Sequence, residues 1–491
     1  MKRILAFVLA MLMLFSALTL LFSCSDKPEE VKEDNTEKKQ LVDDGSIFYE
    51  RSLISDGLPE KDYGGRQFRI VTHIPGEFYI EEGERNQGDL IKDAKFARNQ
   101  AVENRFNVEL TLGYTGTYSE VSSYVSKTVL SGSDEFELLM GMAVDTGALV
   151  TKKLFLNWHD IENINFDKPW WSKSTVDELT YDGKCAIAVS DLNFSSITAT
   201  YCMIFNKNLA ASYELGNIYD IVLSGKWTID KLHEMVKDLY VDDGNDKRDE
   251  NDFYGIYHDH GSHVCTYLWA FYNPVCKKDE EGVPQIAIKT DKIDSIVTTL
   301  YDMLYNTNGV FYDVAYKNEK GLSRTKFYEK KAVFATATLS VPTDEKLRNF
   351  EDDYGIVPYP KYDEAQAEYK TMSDGYHSVL AIPKTVKDTE FVGTIVEALS
   401  AETWKTVTPT LYEIALKTRY LRDSESKEVL DLVINGRTFD FGFIYDGWVG
   451  FSFCLQDILA SGSSSFQSYY DKRFKQARLQ YKTVVKALEK L

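Results

Sequence analysis

The sequence predicts an α/β chain folded as two lobes, and three observations carry that expectation. At 491 residues the chain exceeds the roughly 250 to 300 residues at which one hydrophobic core stops growing, so two lobes are the default. From Gln67 onward, apolar runs and helical periodicity alternate as strand, helix, strand, the pattern of a βαβ unit. Tyr181 to Leu209 then carries two extended apolar runs, Cys185 to Val189 and Ile197 to Phe205, joined by a polar kink from Ser190 to Ser196. Both runs read as strands. The stretch is either a crossing between lobes or a hairpin within one, and its periodicity leaves both open.

Met1 to Cys24 is the most specific local signal. Lys2 and Arg3 precede an uncharged apolar run from Ile4 to Phe22, and the run ends in Leu21-Phe22-Ser23-Cys24. This resembles a bacterial lipoprotein signal over residues 1–23, with Cys24 as the acylated first residue of the mature chain; Phe22 is bulkier than that pattern usually carries. Several acyl chains on one cysteine hold a protein at a bilayer, because a single chain binds only marginally. The alternative is an uncleaved anchor, since the run is just long enough to span. Either reading places the globular part outside the cytoplasmic membrane, at the cell surface or in the periplasm. Residues 24–62, which include PEEVKEDNTEKK, are polar and poor in aromatics and read as a disordered tether.

Asp plus Glu number 76 against 56 Lys plus Arg, a net charge of -20. Neither nucleic acid nor an anionic lipid face is an expected partner of such a chain. Of the 6 cysteines, those after Cys24 form no C-x-x-C. Their apolar neighbours predict buried free thiols, with a Cys265 to Cys276 bridge as the alternative in an oxidising compartment.

The elements follow in order. FRIVT, from Phe68, is a strand; Asp89 caps a helix that runs to Phe106 with Leu90, Ala94, Ala97 and Ala101 near one face; VELTL, from Val108, is a strand. A helix over Ser119 to Ser131 precedes a buried parallel strand, Phe136 to Met142. Its exit carries Asp145, and open α/β sheets bind ligands at the carboxyl ends of their strands. Thr228 caps a helix whose stripe is Ile229, Leu232, Met235, Val236 and Leu239. Strands are expected over Tyr254 to Tyr257, Gln285 to Lys289, Ala332 to Thr336, Tyr354 to Val357 and Ser378 to Ile382, with a helix over Lys292 to Tyr305 and helices after Pro383.

Taken together, several blocks resemble one family. GKCAIAVSD, YCMIFNKNLAASYEL and GKWTIDKL, then DENDFYGI, KKDEEGVP, DYGIVPYPKYDE, IPKT and VEALSAETWKTVTPTLYEIALKTRYLRDSESKEVLDLVI, resemble the family 1 extracellular solute-binding lipoproteins of bacterial ABC importers, most of which bind carbohydrate. The resemblance runs from Tyr63 to the C-terminus. It implies a periplasmic-binding-protein-like fold of type II, in which two hinge-linked α/β lobes close on a ligand cleft. Val189 to Ser196 becomes the first crossing and Asp374 to Ala381 the second. Lobe 1 is then 63–190 plus 378–425, and lobe 2 is 195–373 plus 426–491. The implied activity is capture of a mono- or oligosaccharide for an ABC permease pair, with no catalysis and no cofactor.

Such clefts stack aromatic rings on sugar faces while carboxylates and amides bond the hydroxyls. By position the resemblance selects Asp145, Trp171 with its neighbour Trp170, Asp191 and Asn193 at the first crossing, Trp269 and Tyr272 in TYLWAFYNP, Asp374 and Tyr376 with His377 at the second crossing, and Trp448 in FIYDGWVGF. Asp145, Asp191 and Trp448 lead. Every one competes with a packing role, which buried aromatics normally serve. The loop VDDGNDKRDENDFYG resembles a calcium loop with Asp243, Asn245, Asp249 and Asp252 in ligand-like places. Val241 falls where the first acidic ligand belongs and Asp246 replaces the turn glycine, so a solvated acidic turn is expected and no metal. Alternation places His258 and His260 on one strand face, with His263 nearby; without acidic or thiolate partners at fixed spacing, hydrogen bonding is expected over zinc. There is no H-E-x-x-H, G-x-S-x-G or phosphate loop. The alternatives are a secreted, lipid-anchored polysaccharide hydrolase using a carboxylate pair, and a surface or sensor lipoprotein that does not serve transport.

Overall fold

The computed structural model describes residues 46–78, 89–316, 321–411 and 424–491. Cys24, the signal at 1–23 and the tether as far as residue 45 lie outside the described residues. Among the described residues no helix is long and apolar enough to cross a membrane.

Two sheets, each flanked by helices, carry the two lobes. Their strands are β1 (Arg66–Thr72), β2 (Val108–Thr115), β3 (Leu138–Met142), β4 (Tyr201–Asn206), β5 (Tyr240–Val241), β6 (Phe253–His258), β7 (Val310–Tyr312), β8 (Ala332–Thr338), β9 (Tyr354–Val357) and β10 (Ser378–Ala381). The first sheet has the order β10-β3-β1-β2, with β1 parallel to β2 and β3 and β10 antiparallel to β3. The crossover from β1 to β2 is the expected helix, Leu90–Phe106, whose first turn is capped by the Asp89 carboxylate on the Ile91 and Lys92 amides. The helix Tyr118–Leu130 returns the chain to β3 and starts with a capping box between Thr117 and Glu120.

The second sheet runs β9-β4-β8-β6-β5, with β7 beside β6. Strands β6, β7 and β8 are parallel, so their carboxyl ends emerge on one side. The predicted Thr228 cap is present on the helix Ile229–Val236, whose buried stripe includes Ile229, Leu232 and Met235.

Two segments join the lobes side by side, and here the structure corrects the sequence reading. Cys185 to Val189 is extended but forms no sheet strand; it meets β10 through the Ala188–Leu380 bridge alone. Ile197 does not begin a strand. Phe194–Thr198 is a short helix, and β4 starts only at Tyr201. Phe194 and Ile197, three residues apart, share one buried cluster, a spacing that one turn of helix supplies. Of the second crossing, expected over Asp374 to Ala381, Ser378–Ala381 is strand β10, and the loop before it lies against the first crossing. The Asp374 amide donates to the Ala199 carbonyl at 3.0 Å, and the Asn193 amide donates to Ser378 Oγ at 2.9 Å. Gly375 lets this loop lie close, because a Cβ there would stand 2.9 Å from Phe443 Cζ and 3.0 Å from Val144 Cγ2.

The expected tether ends earlier than residue 62. Arg51 donates to the Trp404 carbonyl at 2.6 Å, Asp56 is 8% exposed and pairs with Arg105, and Tyr63 packs edge-on against Phe391 with centroids 4.8 Å apart. Arg51, Asp56 and Lys61 thus have partners on the folded body. The strand expected over Gln285 to Lys289 is likewise shorter, Pro284–Ile286.

Beside the first crossing, the helix Thr389–Glu402 buries a carboxylate. Glu397 is 0% exposed and accepts from the Trp170 indole at 3.0 Å and the Trp171 indole at 2.8 Å. Burial pushes its carboxyl up to about 7, against the opposing pull of the two indoles.

A group with a raised carboxylate pKa favours the folded state at low pH. Folded Glu397 keeps its proton to about pH 7, whereas the unfolded chain releases it near 4.5. Its contribution is therefore full below pH 4.5 and lost as pH rises to 7. Urea unfolding across this window should show the deficit of Glu397→Gln relative to wild type shrinking by about 3 kcal/mol. A deficit independent of pH would refute this assignment.

Candidate functional site

Strands β6, β7 and β8 end at a cavity of about 740 Å³. Its second-lobe wall is built at the carboxyl ends of those strands: Asp259 and His260 after β6, Asp313 after β7, and Thr338 at the end of β8. Ser195 and Thr198 of the first crossing form its floor, with Asp374 and Tyr376 of the second crossing and Ile74, just past β1, on the first-lobe side. Residues from both sheets and both crossings therefore share one cavity.

Most of the charged wall is already hydrogen-bonded to the protein. Asp313 Oδ1 accepts from the His260 backbone amide at 2.5 Å and lies 2.9 Å from His260 Nδ1. Asp259 accepts from the Ser323 amide at 3.0 Å and the Ser323 hydroxyl at 2.6 Å, and its second oxygen stands 3.6 Å from His263 Nε2. Burial lowers the His263 pKa, with Asp259 pulling the other way. Asp374 accepts from the Tyr201 hydroxyl and from the Tyr376 amide. Burial, then the Asp374 charge, pushes the Tyr201 phenol well up, so this hydroxyl stays a donor at neutral pH.

The rim beyond the cavity is aromatic. Tyr376 is 48% exposed, packed edge-on against His73 at 4.8 Å and Tyr118 at 6.5 Å. Trp448 is 49% exposed and lies flat on Phe453, with centroids 5.1 Å apart and planes 8° apart. Its indole donates to Asp145 Oδ1 at 3.1 Å, and the other Asp145 oxygen accepts from Ser122 at 3.4 Å. Trp448 has a φ of +66°, a left-handed conformation that costs a bulky residue about 1 to 3 kcal/mol and concentrates at functional sites. Neither Asp145 nor Trp448 is among the residues that line the cavity.

The structure sorts the remaining sequence candidates away from the cavity. Trp171 is 5% exposed and bonds Glu397 beside Trp170. Asp191 accepts from the Thr408 hydroxyl at 2.8 Å, and Asn193, 0% exposed, bonds the Ser190 amide and the Ser378 hydroxyl. Trp269 is 3% exposed and donates to Asp440 Oδ2 at 3.0 Å. Tyr272 is partly exposed but bonds Glu368 at 3.2 Å. None of these lines the cavity. Their polar atoms serve internal partners because the crossing is sealed against helix 389–402, and Trp269 pins the chain to the C-terminal region through Asp440. His377 is buried at 0% and its ring bonds the Asp374 carbonyl at 2.6 Å.

The histidine triplet also divides. β6 ends at His258, so alternation does not carry to His260; His258 turns into the core toward the Tyr267 hydroxyl at 3.2 Å, and burial drops its pKa to about 3. Of the three, His260 and His263 face the cavity. Asp259, Asp313, Tyr201 and Arg324 escaped the sequence reading. The signal for the first two was the carboxyl-end rule, applied to β3 but not to the second sheet.

In the acidic loop, Asp243, Asp249 and Asp252 come within metal-binding distance of one another. Asp252 is 0% exposed and accepts from the Asp243 and Asp249 amides and the Tyr240 hydroxyl, each at 2.9 to 3.0 Å. That carboxylate organises the turn.

No protein-family model matches the chain, and no curated protein matches it in sequence. Solved structures are similar in fold. An ABC substrate-binding protein of Listeria monocytogenes in complex with cycloalternan superposes with a TM-score of 0.53 at 10% identity, covering 87% of this chain and 98% of that one. A sugar transporter of Rhizobium etli in an open conformation gives 0.53 at 13%, covering 87% and 99%. A solute-binding protein from an ABC transporter of Agrobacterium radiobacter, in complex with ribitol, gives 0.51 at 12%, covering 88% and 100%. The chain has the two-lobed α/β fold of these proteins.

Truncation separates the two groups of aromatics. Trp171→Ala and Trp269→Ala should each cost about 3 to 5 kcal/mol in chemical denaturation, because each opens a cavity and strips a buried carboxylate of a donor. Tyr376→Ala, at an exposed ring, should stay within about 0.5 kcal/mol of wild type.

Proposed function

We propose that this chain is a non-catalytic, lipid-anchored solute-binding protein that captures a mono- or oligosaccharide in the cavity and delivers it to an ABC permease. The observation that carries the reading is the cavity itself, lined by residues of both crossings and of the second sheet's strand ends and by the half-exposed ring of Tyr376. Its 740 Å³ falls in the range of small-molecule sites, about 300 to 1,000 Å³. The likeness in fold to proteins solved with cycloalternan and ribitol supports a carbohydrate ligand.

In this reading lobe 1 is 63–190 plus 378–425 and lobe 2 is 195–373 plus 426–491, and they close about the crossings. The ligand favours the closed form only by its higher affinity for it. Tyr376 and Trp448 supply stacking faces, while Asp145 and Asp374 accept from sugar hydroxyls. Cys24 carries the lipid anchor, which holds the binding unit outside the cytoplasmic membrane beside the permease.

A thermal-shift screen of saccharides against the full chain tests capture. A ligand present at a hundred times its dissociation constant should add about 2.7 kcal/mol of stability, without release of reducing ends from oligosaccharides. Tyr376→Ala and Trp448→Ala should each weaken binding by about tenfold, the value of one stacking contact. Stoichiometric binding by wild type with unchanged affinity in both variants would move the site elsewhere.

The anchor is tested separately. Cys24→Ser should shift the expressed protein from the membrane fraction to the soluble fraction, and the wild-type peptide containing Cys24 should carry acyl mass. Retention of the variant in membranes would instead favour the uncleaved anchor.

A further inference from the structure

Asp259, Asp313 and Asp374 all face the cavity, yet each already accepts at least two protein donors. Arg324 differs. It is the only Lys or Arg among the described residues that line the cavity. Its guanidinium lies over Gly321, where a Cβ would stand 3.3 Å from one of its terminal nitrogens. Among the described residues no carboxylate, carbonyl or hydroxyl accepts from it.

Closure makes this matter. An open cleft hydrates a half-buried guanidinium, whereas a closed one removes that water. The N–H donors of Arg324 have to find acceptors inside the closed site or they oppose closure. The oxygens of Asp259, Asp313 and Asp374 already accept from Ser323, His260 and Tyr201. A sugar hydroxyl takes one or two of the guanidinium donors, while a carboxylate takes two in a planar fork.

We infer that the captured saccharide carries a carboxylate, as a uronic acid does, and that Arg324 is the residue that selects it. This rests on solute capture in the same cavity. The guanidinium stands on the second-lobe wall of the cavity that Tyr376 also lines, which places the acidic group against that wall while the ring of the same or an adjoining sugar meets Tyr376.

Calorimetry on the full chain with galacturonic and glucuronic acids and their di- and trisaccharides, against galactose, glucose and their neutral oligomers, tests the assignment. The uronates should bind at least about tenfold more tightly. Arg324→Gln should abolish that preference, weakening uronates at least about tenfold more than neutral sugars. Arg324→Lys should restore part of it, since an ammonium supplies charge without the fork. Unfolding midpoints of both variants should match wild type; if Arg324→Gln is destabilised, Arg324→Lys alone decides by its loss of uronate preference. Neutral sugars binding as tightly as uronates overturn the inference and leave solute capture standing. A preference for sulfated sugars over uronates overturns the carboxylate assignment. Failure of every saccharide to bind overturns the capture reading and this one with it.

Discussion

The polar seam between the two crossing segments is the constraint on which the rest of the structure depends. Ala188 and Leu380 exchange backbone hydrogen bonds at 3.0 and 2.8 Å, Asn193 bonds Ser378, and the Thr200 hydroxyl meets that of Ser373 at 3.3 Å. Asn193, Ser196, Thr200, Ser373 and Ser378 are each at most 2% exposed. A buried polar group left without a partner costs about 1 to 3 kcal/mol, so these side chains hold the segments in one register. The register sets where β4 leaves for the second lobe and where β10 enters the first. It also drops Asp374 and Tyr376 into the cavity between them.

The cavity shows how a strongly acidic chain builds a binding surface that is not simply negative. Its aspartates are oriented by imidazole, hydroxyl and backbone donors and so act as fixed scaffolding for the wall. The groups left facing open space are aromatic faces, hydroxyls and one guanidinium. Trp448 illustrates the same division. Its left-handed backbone is held because Phe453 supports one ring face and Asp145 takes the indole N–H, which leaves the opposite face open.

Much of the fold was legible along the chain. The caps at Asp89 and Thr228 and the strands at β1, β3 and β9 follow from periodicity and local hydrogen bonding, which a few neighbouring residues decide. Less of the site was legible. Asp374 and Tyr376 were named and line the cavity, whereas Asp145 and Trp448 were named and bond each other outside its lining. Trp171, Asn193 and Trp269 were named and are buried, and Asp191, one of the three leading candidates, is half-buried and bonds Thr408. A tryptophan at a platform and a tryptophan on a buried carboxylate have the same local sequence signature, and only the partner distinguishes them.

Local sequence specified most of the elements, though not the strand expected over Cys185 to Val189 or the helix Phe194–Thr198, together with the two-lobed α/β class and the character of the residues available at the strand ends. Those properties depend on interactions within about a dozen residues, or on total apolar content. Tertiary structure alone decided which polar groups are satisfied. Glu397 lies 227 residues from Trp170, Asp145 lies 303 from Trp448, and the two halves of the seam are 185 apart at Asn193 and Ser378. No local pattern encodes such pairings, because each requires the fold to bring the partners together and exclude water. That exclusion buries Asn193 in the seam and leaves Arg324 facing the cavity.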